Sequence, residues 1–198
     1  MADWSAYQFH PAFVLGFHGT TKSVFRQVVM QSPQAHLQVS RQPYDWLGPG
    51  AYFWEQDPER GLEWARQHPR RGSRAQPAVV GAVIDLGLCL DLTTRTGLYE
   101  VQQAYLYYRD AMKVLGLPQA TNRLGKDLLI RELDCHVITC LHHLRQRRGL
   151  APYDSVRAAF PEDRPLYEGA GFRAKNHIQL CIVNPERCIK AYFKPLRH

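Results

Sequence analysis

His18 and Gly19, within GFHGT, combine a titratable ring with a main chain that a ligand can reach. The apolar run at 13–18 predicts a buried strand, so the histidine ends it and the glycine follows. Glycine permits close approach and leaves its N–H and C=O available for bonding. Downstream, LGPGAYF sets Tyr52 just after a tight turn, and Trp64 falls on a short helix. KNHIQLCIV carries His177 and Gln179 two residues apart, on one face of a strand. In YDSVRAAF the same alternation groups Tyr153, Ser155 and Arg157. Arg157 suits a bidentate grip on a pyrophosphate; its plainer role is pairing with a nearby acid. The others have plain roles too: a structural histidine at a strand end, a core aromatic after a turn, an ordinary strand histidine at 177.

Metal chemistry competes with this reading. Cys135, His136, Cys140, His142 and His143 crowd one helix-like segment. Cys135 and Cys140 are five apart and fall on different helical faces, and the chain has no CxxC pair. No metal is expected. These two cysteines, with Cys89, Cys181 and Cys188, read as buried thiols of a reducing, cytoplasmic compartment.

The elements that must position these residues follow from punctuation and period. Thr21 is an N-cap for a helix at 22–30, and 31–43 is a polar loop. Asp57-Pro58 opens a helix reaching about Gln67, and a loop spans 68–76. AVVGAVIDLG and LCLDLT predict two strands. Leu98, Val101, Tyr105, Tyr108, Met112 and Leu115 then recur at helical spacing. After a break at 116–125, Ile130, Leu133, Val137, Cys140 or Leu141, and Leu144 mark a second helix, ended by Gly149. YDSVRAAF, HIQLCIV and IKAYFK return to strand character. The expectation is one α+β domain over 1–198, with a largely antiparallel sheet and a helical hairpin inserted at 96–148.

The chain has 198 residues, 45% apolar and 22% charged, which suits a soluble globular protein. No apolar stretch is long enough to span a membrane, and the start reads as no signal peptide. The net charge of +7 favours acidic partners such as phosphates or nucleic acid. Arg70, Arg71 and Arg74 cluster in a loop, and Arg145, Arg147 and Arg148 end a helix. The second cluster reads equally as favourable charge at a helix C-terminus.

Taken in order, His-Gly-Thr, then Gly-x-Gly-x-Tyr-Phe, then a late strand with a polar residue resembles the ADP-ribosyltransferase superfamily. The nearest branch is the poly(ADP-ribose) polymerase and diphtheria-toxin type, with its His-Tyr-Glu triad. The motifs span most of the chain, from His18 to Gln179. The resemblance implies a split, mostly antiparallel sheet and NAD⁺ as substrate. It assigns His18 to the adenine-side ribose, the Gly19 backbone to the nicotinamide carboxamide, and Thr20 to the small hydroxyl position beside them. It assigns Tyr52 to packing on nicotinamide and Trp64 to closing the stack. An electron-rich ring favours a flat cation, and groups aimed at developing charge stabilise the oxocarbenium-like centre formed on cleavage.

Gln179 stands where that branch has its glutamate. An amide can bond a ribose hydroxyl but cannot supply negative charge or act as a base. Single-unit transfer is therefore expected rather than chain elongation. His177 is a candidate base on the same face, with Glu55 and Glu168 as substitute carboxylates. The loop PLYEGAGFRAKN is expected to meet the acceptor through Phe172 and Arg173, the former by stacking. The leading expectation is mono-ADP-ribosyl transfer to a macromolecule, nucleic acid slightly before protein, as in toxins or defence effectors, with an inhibitor or antitoxin as a further partner. The alternatives are a catalytically weak NAD⁺- or ADP-ribose-binding module, an NAD glycohydrolase, and an RNA 2′-phosphotransferase-like enzyme.

Overall fold

A computed structural model describes residues 13–31, 35–68, 76–123 and 128–196. The fold is α+β, built on a seven-stranded sheet. Its strands are β1 (Val14–Thr21), β2 (Ala51–Glu55), β3 (Pro77–Ile84), β4 (Cys89–Asp91), β7 (Ser155–Phe160), β8 (His177–Ile182) and β9 (Ile189–Phe193). A separate ribbon pairs β5 (Asn122–Arg123) with β6 (Ile130–Arg131). The large sheet runs β4-β7-β8-β2-β1-β3-β9, and every neighbouring pair is antiparallel except β4 with β7.

The helices begin where the sequence supplies caps. Thr21 accepts from the Val24 N–H and starts α1 (Lys22–Arg26). This helix is shorter than expected, because the chain widens into a π-helical turn at Gln27–Gln31. Asp57 accepts from the Arg60 N–H, and Pro58 needs no partner in the first turn of α2 (Pro58–Gln67). Thr94 caps α3 (Arg95–Leu115), and Gly116 ends it at φ 65°, a left-handed position that glycine adopts without strain. The ribbon leads into α4 (Glu132–Arg147), and α5 (Pro185–Cys188) precedes β9. Among the described residues, no helix is long and apolar enough to cross a membrane.

Strand alternation gives the sheet two apolar faces. Phe53, Val80, Ile84, Leu180 and Ile182 form one core, with Val28 from the π-helical turn against it. Leu90, Val156, Ala158, Phe160 and Cys181 form the other, under Ala104 and Tyr108 of α3 and Val137, Ile138 and Leu141 of α4. The hairpin thus completes a core rather than standing apart. His142 of α4 sits edge-on to Tyr153, and burial, with Arg145 and His143 adding repulsion, lowers its pKa to about 4. Its neutral form is favoured in the fold. The resulting stability is present above pH 6.5 and is lost as pH falls towards 4. We expect about 2–3 kcal/mol to disappear across that window. Urea titrations at stepped pH check this, and His142→Phe should flatten the dependence.

Candidate functional site

The site forms where the sheet stops being continuous. β1 pairs with β2 only at Gly16–Glu55 and Phe17–Trp54, whereas β1 pairs with β3 along its whole length. From Phe53 back to Ala51, β2 pairs only with β8. The main chain of β1 alternates its bonding edge. The Leu15 carbonyl accepts from Gln56 on the β2 side, while the Lys22 N–H donates to Gln76 on the β3 side. Odd-numbered residues therefore face β2, so the N–H and C=O of Gly19 are aimed past the last β1–β2 pair.

His18 stands at this opening. Its Nδ1 lies 2.7 Å from the Tyr52 carbonyl oxygen, which can only accept, so Nδ1 carries the proton and Nε2 is an acceptor in the neutral ring. The ring packs beside Phe53, with centroids 5.8 Å apart. Gly19 lies against α2: a Cβ there would run into the Gly61 carbonyl. The glycine is what lets the helix sit directly on the strand. Further along α2, Trp64 stacks on His68 at 4.8 Å, and it is also 6.0 Å from Trp54.

A cavity of about 780 Å³ opens at this point. Its walls include His18, Gly19 and Thr20 from β1, Trp64 from α2, His68 at that helix's C-terminal cap, and the 36–42 segment opposite. That volume suits a nucleotide-sized ligand. His36 and Arg41 add basic groups, and no carboxylate lines the cavity among the described residues.

Four sequence-predicted residues therefore meet: His18, Gly19, Thr20 and Trp64. Tyr52 reaches the site through its carbonyl instead of its ring. The register Phe17–Trp54 puts His18 and Phe53 on one face and Tyr52 on the other. Its hydroxyl donates to the Gly48 carbonyl at 2.6 Å and accepts from the Leu47 N–H at 2.9 Å. Burial pushes the phenol pKa well up. Tyr52 thus ties the turn before β2 and packs under the hairpin.

Gln179 and His177 also stand outside the cavity lining. Gln179 is paired with Trp54 and Ala158, and its Oε1 is buried with no hydrogen-bond partner among the described residues. His177 is buried and bonds the Lys175 carbonyl through Nδ1 at 2.9 Å, and burial lowers its pKa. Its Nε2 is buried with no hydrogen-bond partner among the described residues, so the ring contributes to the wall of a second cavity of about 420 Å³, beside Glu55, Asp57 and Asn176, without opening that nitrogen to it. The 161–176 segment reaches α2 through Arg60–Glu162 at 2.9 Å and Lys175–Glu63 at 2.6 Å. Phe172 on it is exposed, and Arg173 donates to the Asp163 carbonyl. Glu168 is exposed on the same segment.

Arg157 takes the plainer of its two roles. Its Nε bonds Glu55 at 2.7 Å and its Nη1 bonds Asp91 at 3.1 Å, so two carboxylates occupy the fork that a pyrophosphate would need. Glu55 is the partner in this pair rather than a carboxylate of the His18 cavity. Arg157→Ala would remove the cation from two largely buried carboxylates, Glu55 and Asp91, with an expected loss of about 3 kcal/mol in chemical denaturation. Of the basic clusters, Arg70, Arg71 and Arg74 lie outside the described residues. Arg145 is used internally, over the Tyr153 ring and against Glu100.

The 36–42 wall and His68 are site residues that the sequence motifs do not single out. His68 carries a usable signal, since it lies one helical turn beyond Trp64. The wall carries none, because its position follows from the Ser40–Gly50 bridge, which is not written in local pattern. Comparisons with protein-family models, with curated proteins and with solved structures find no match for this chain.

Proposed function

We propose that this chain is a mono-ADP-ribosyltransferase that takes NAD⁺ into the cavity at His18 and belongs with the split-sheet ADP-ribosyltransferases. One observation carries the reading. The sheet opens just where His18 and Gly19 stand, with the histidine ring held by the Tyr52 carbonyl and the glycine edge turned into the opening. A carboxamide needs one donor and one acceptor on a main-chain edge, which a glycine in that orientation supplies. A wall that carries His36, His68 and Arg41, and no acid among the described residues, suits a pyrophosphate. The Trp64–His68 stack offers the flat surface that a nicotinamide or adenine ring requires. In the transfer, the nicotinamide–ribose bond breaks with its electron pair leaving on nicotinamide, and an acceptor oxygen or nitrogen bonds the anomeric carbon while losing its proton. The basic chain favours an acidic acceptor, nucleic acid before protein.

A second reading is a module that binds NAD⁺ or ADP-ribose without transfer. The absence of any carboxylate from the described cavity lining favours it, because oxocarbenium chemistry gains from a nearby negative charge. Incubation with adenine-labelled NAD⁺ and, separately, RNA, DNA and a protein extract separates the two. Label on one polymer names the acceptor class. Release of nicotinamide without label identifies a glycohydrolase. Saturable binding with neither outcome supports the module, and no binding at all removes both.

A further inference from the structure

The edge of the sheet beside β3 carries a second groove, of about 770 Å³, apart from the cavity at His18. β3 pairs with β9 only from Gly81 to Ile84, so its first residues have no strand on that side among the described residues. Pro77 and Pro195 flank the bare edge and lack N–H groups, which blocks simple extension of the sheet. Side chains then make up most of the docking surface.

The floor is apolar. Phe25 and Met30 come from the first helical segment, Leu62 from α2, Val79 from β3 and Leu196 from the chain beyond β9. Met30 is 73% exposed and Leu196 88%, a large apolar surface to leave in water. Among the described residues the rim carries Lys22, Arg26, Arg66 and Lys194 against one acid, Glu59. None of these four cations is ion-paired among the described residues, whereas acids elsewhere in the molecule pair widely. Phe25, the one aromatic of the lining among the described residues, is half-buried against the core, so the groove has no run of open rings for successive stacked bases and the charge does not read as a nucleic-acid track.

From this complementarity we infer that the groove docks an acidic, leucine-bearing segment of a partner protein. Its apolar side chains enter between Met30, Leu62 and Leu196, and its carboxylates meet the four cations. This rests on apolar contact plus charge and not on the NAD⁺ reading, so the two stand or fall separately.

The probe is a synthetic labelled peptide of about fifteen residues, with leucines at helical spacing and glutamates between them. Binding is followed by fluorescence anisotropy and by amide shifts in the isotope-labelled protein. Saturable binding with shifts at Lys22, Arg26, Leu62 and Val79 is expected. The exposed double substitution Arg26→Glu/Lys194→Glu should weaken it about tenfold or more, as should replacing the peptide glutamates by lysines. Met30→Ser should weaken it with an unchanged dependence on salt. Several outcomes overturn the inference: no saturable binding, shifts confined to other surfaces, or equal binding by the lysine peptide. Preferential binding of poly-uridine or of anionic phospholipid vesicles at the same residues overturns it too. Concentration-dependent self-association that moves the same signals would assign the groove to a second copy instead.

Discussion

His18→Ala is expected to reduce NAD⁺-dependent ADP-ribosyl transfer by roughly a hundredfold or more, while the protein stays folded. The ring is half-buried, and its Nδ1 bonds the Tyr52 carbonyl at 2.7 Å. Losing that bond costs about 1 kcal/mol, small against the stability of a domain this size. The loss in function is larger because the same bond fixes which nitrogen faces the cavity. Nε2 is then an acceptor for a ribose hydroxyl in a set position, and orientation of that kind is what alanine removes. His18→Asn, which restores a polar group without the ring geometry, should recover little. Steady-state rates with labelled NAD⁺, together with circular dichroism melts, check both halves. Unchanged rates in the alanine variant would show that the opening beside β1 is not where NAD⁺ reacts.

Gly19→Val is expected to cost about 3 kcal/mol or more and to abolish ligand binding together with stability. A side chain at 19 meets the main-chain carbonyl of Gly61, which has no soft end to give way, so α2 must lift from β1. Trp64, Ala65 and His68 all reach the cavity from that helix and would move with it. Gly61 provides the contrast. A Cβ added there would sit 3.5 Å from the Phe17 carbonyl and 3.6 Å from the Gly19 nitrogen, which is ordinary contact. Gly61→Ala should therefore be tolerated, with any packing cost offset by about 1 kcal/mol of helix propensity. Urea denaturation of the pair tests the asymmetry directly. Equal effects at the two positions would mean that the helix does not rest on the strand as described.

The local features of the site are legible in the sequence itself. A glycine after a strand-end histidine, Asp57-Pro58 at a helix start and the three-four spacing of α3 are each written in a few adjacent residues. What is not legible depends on register and on distant partners. Tyr52 sits in the expected turn-strand unit, but the face it takes is decided by Phe17 pairing with Trp54. A shift of one residue in that pairing would turn its ring to the His18 side. Arg157 is readable as a strand arginine, yet its role is decided by Glu55 and Asp91, each far away in sequence. The same holds for the helical hairpin. Its apolar stripe is plain in the sequence, and its job of covering Leu90, Val156 and Cys181 follows only from the sheet order.

The reading of this chain as an NAD⁺ protein rests on the cavity at His18. Titrating NAD⁺ into isotope-labelled protein and following the backbone amides of His18, Gly19 and Thr20 and the indole N–H of Trp64 tests it most directly. Saturable shifts at all four are predicted, lost in His18→Ala and retained in Phe172→Ala. Saturation without movement at His18 and Gly19, or shifts gathered instead around His177 and Asn176, would contradict the account.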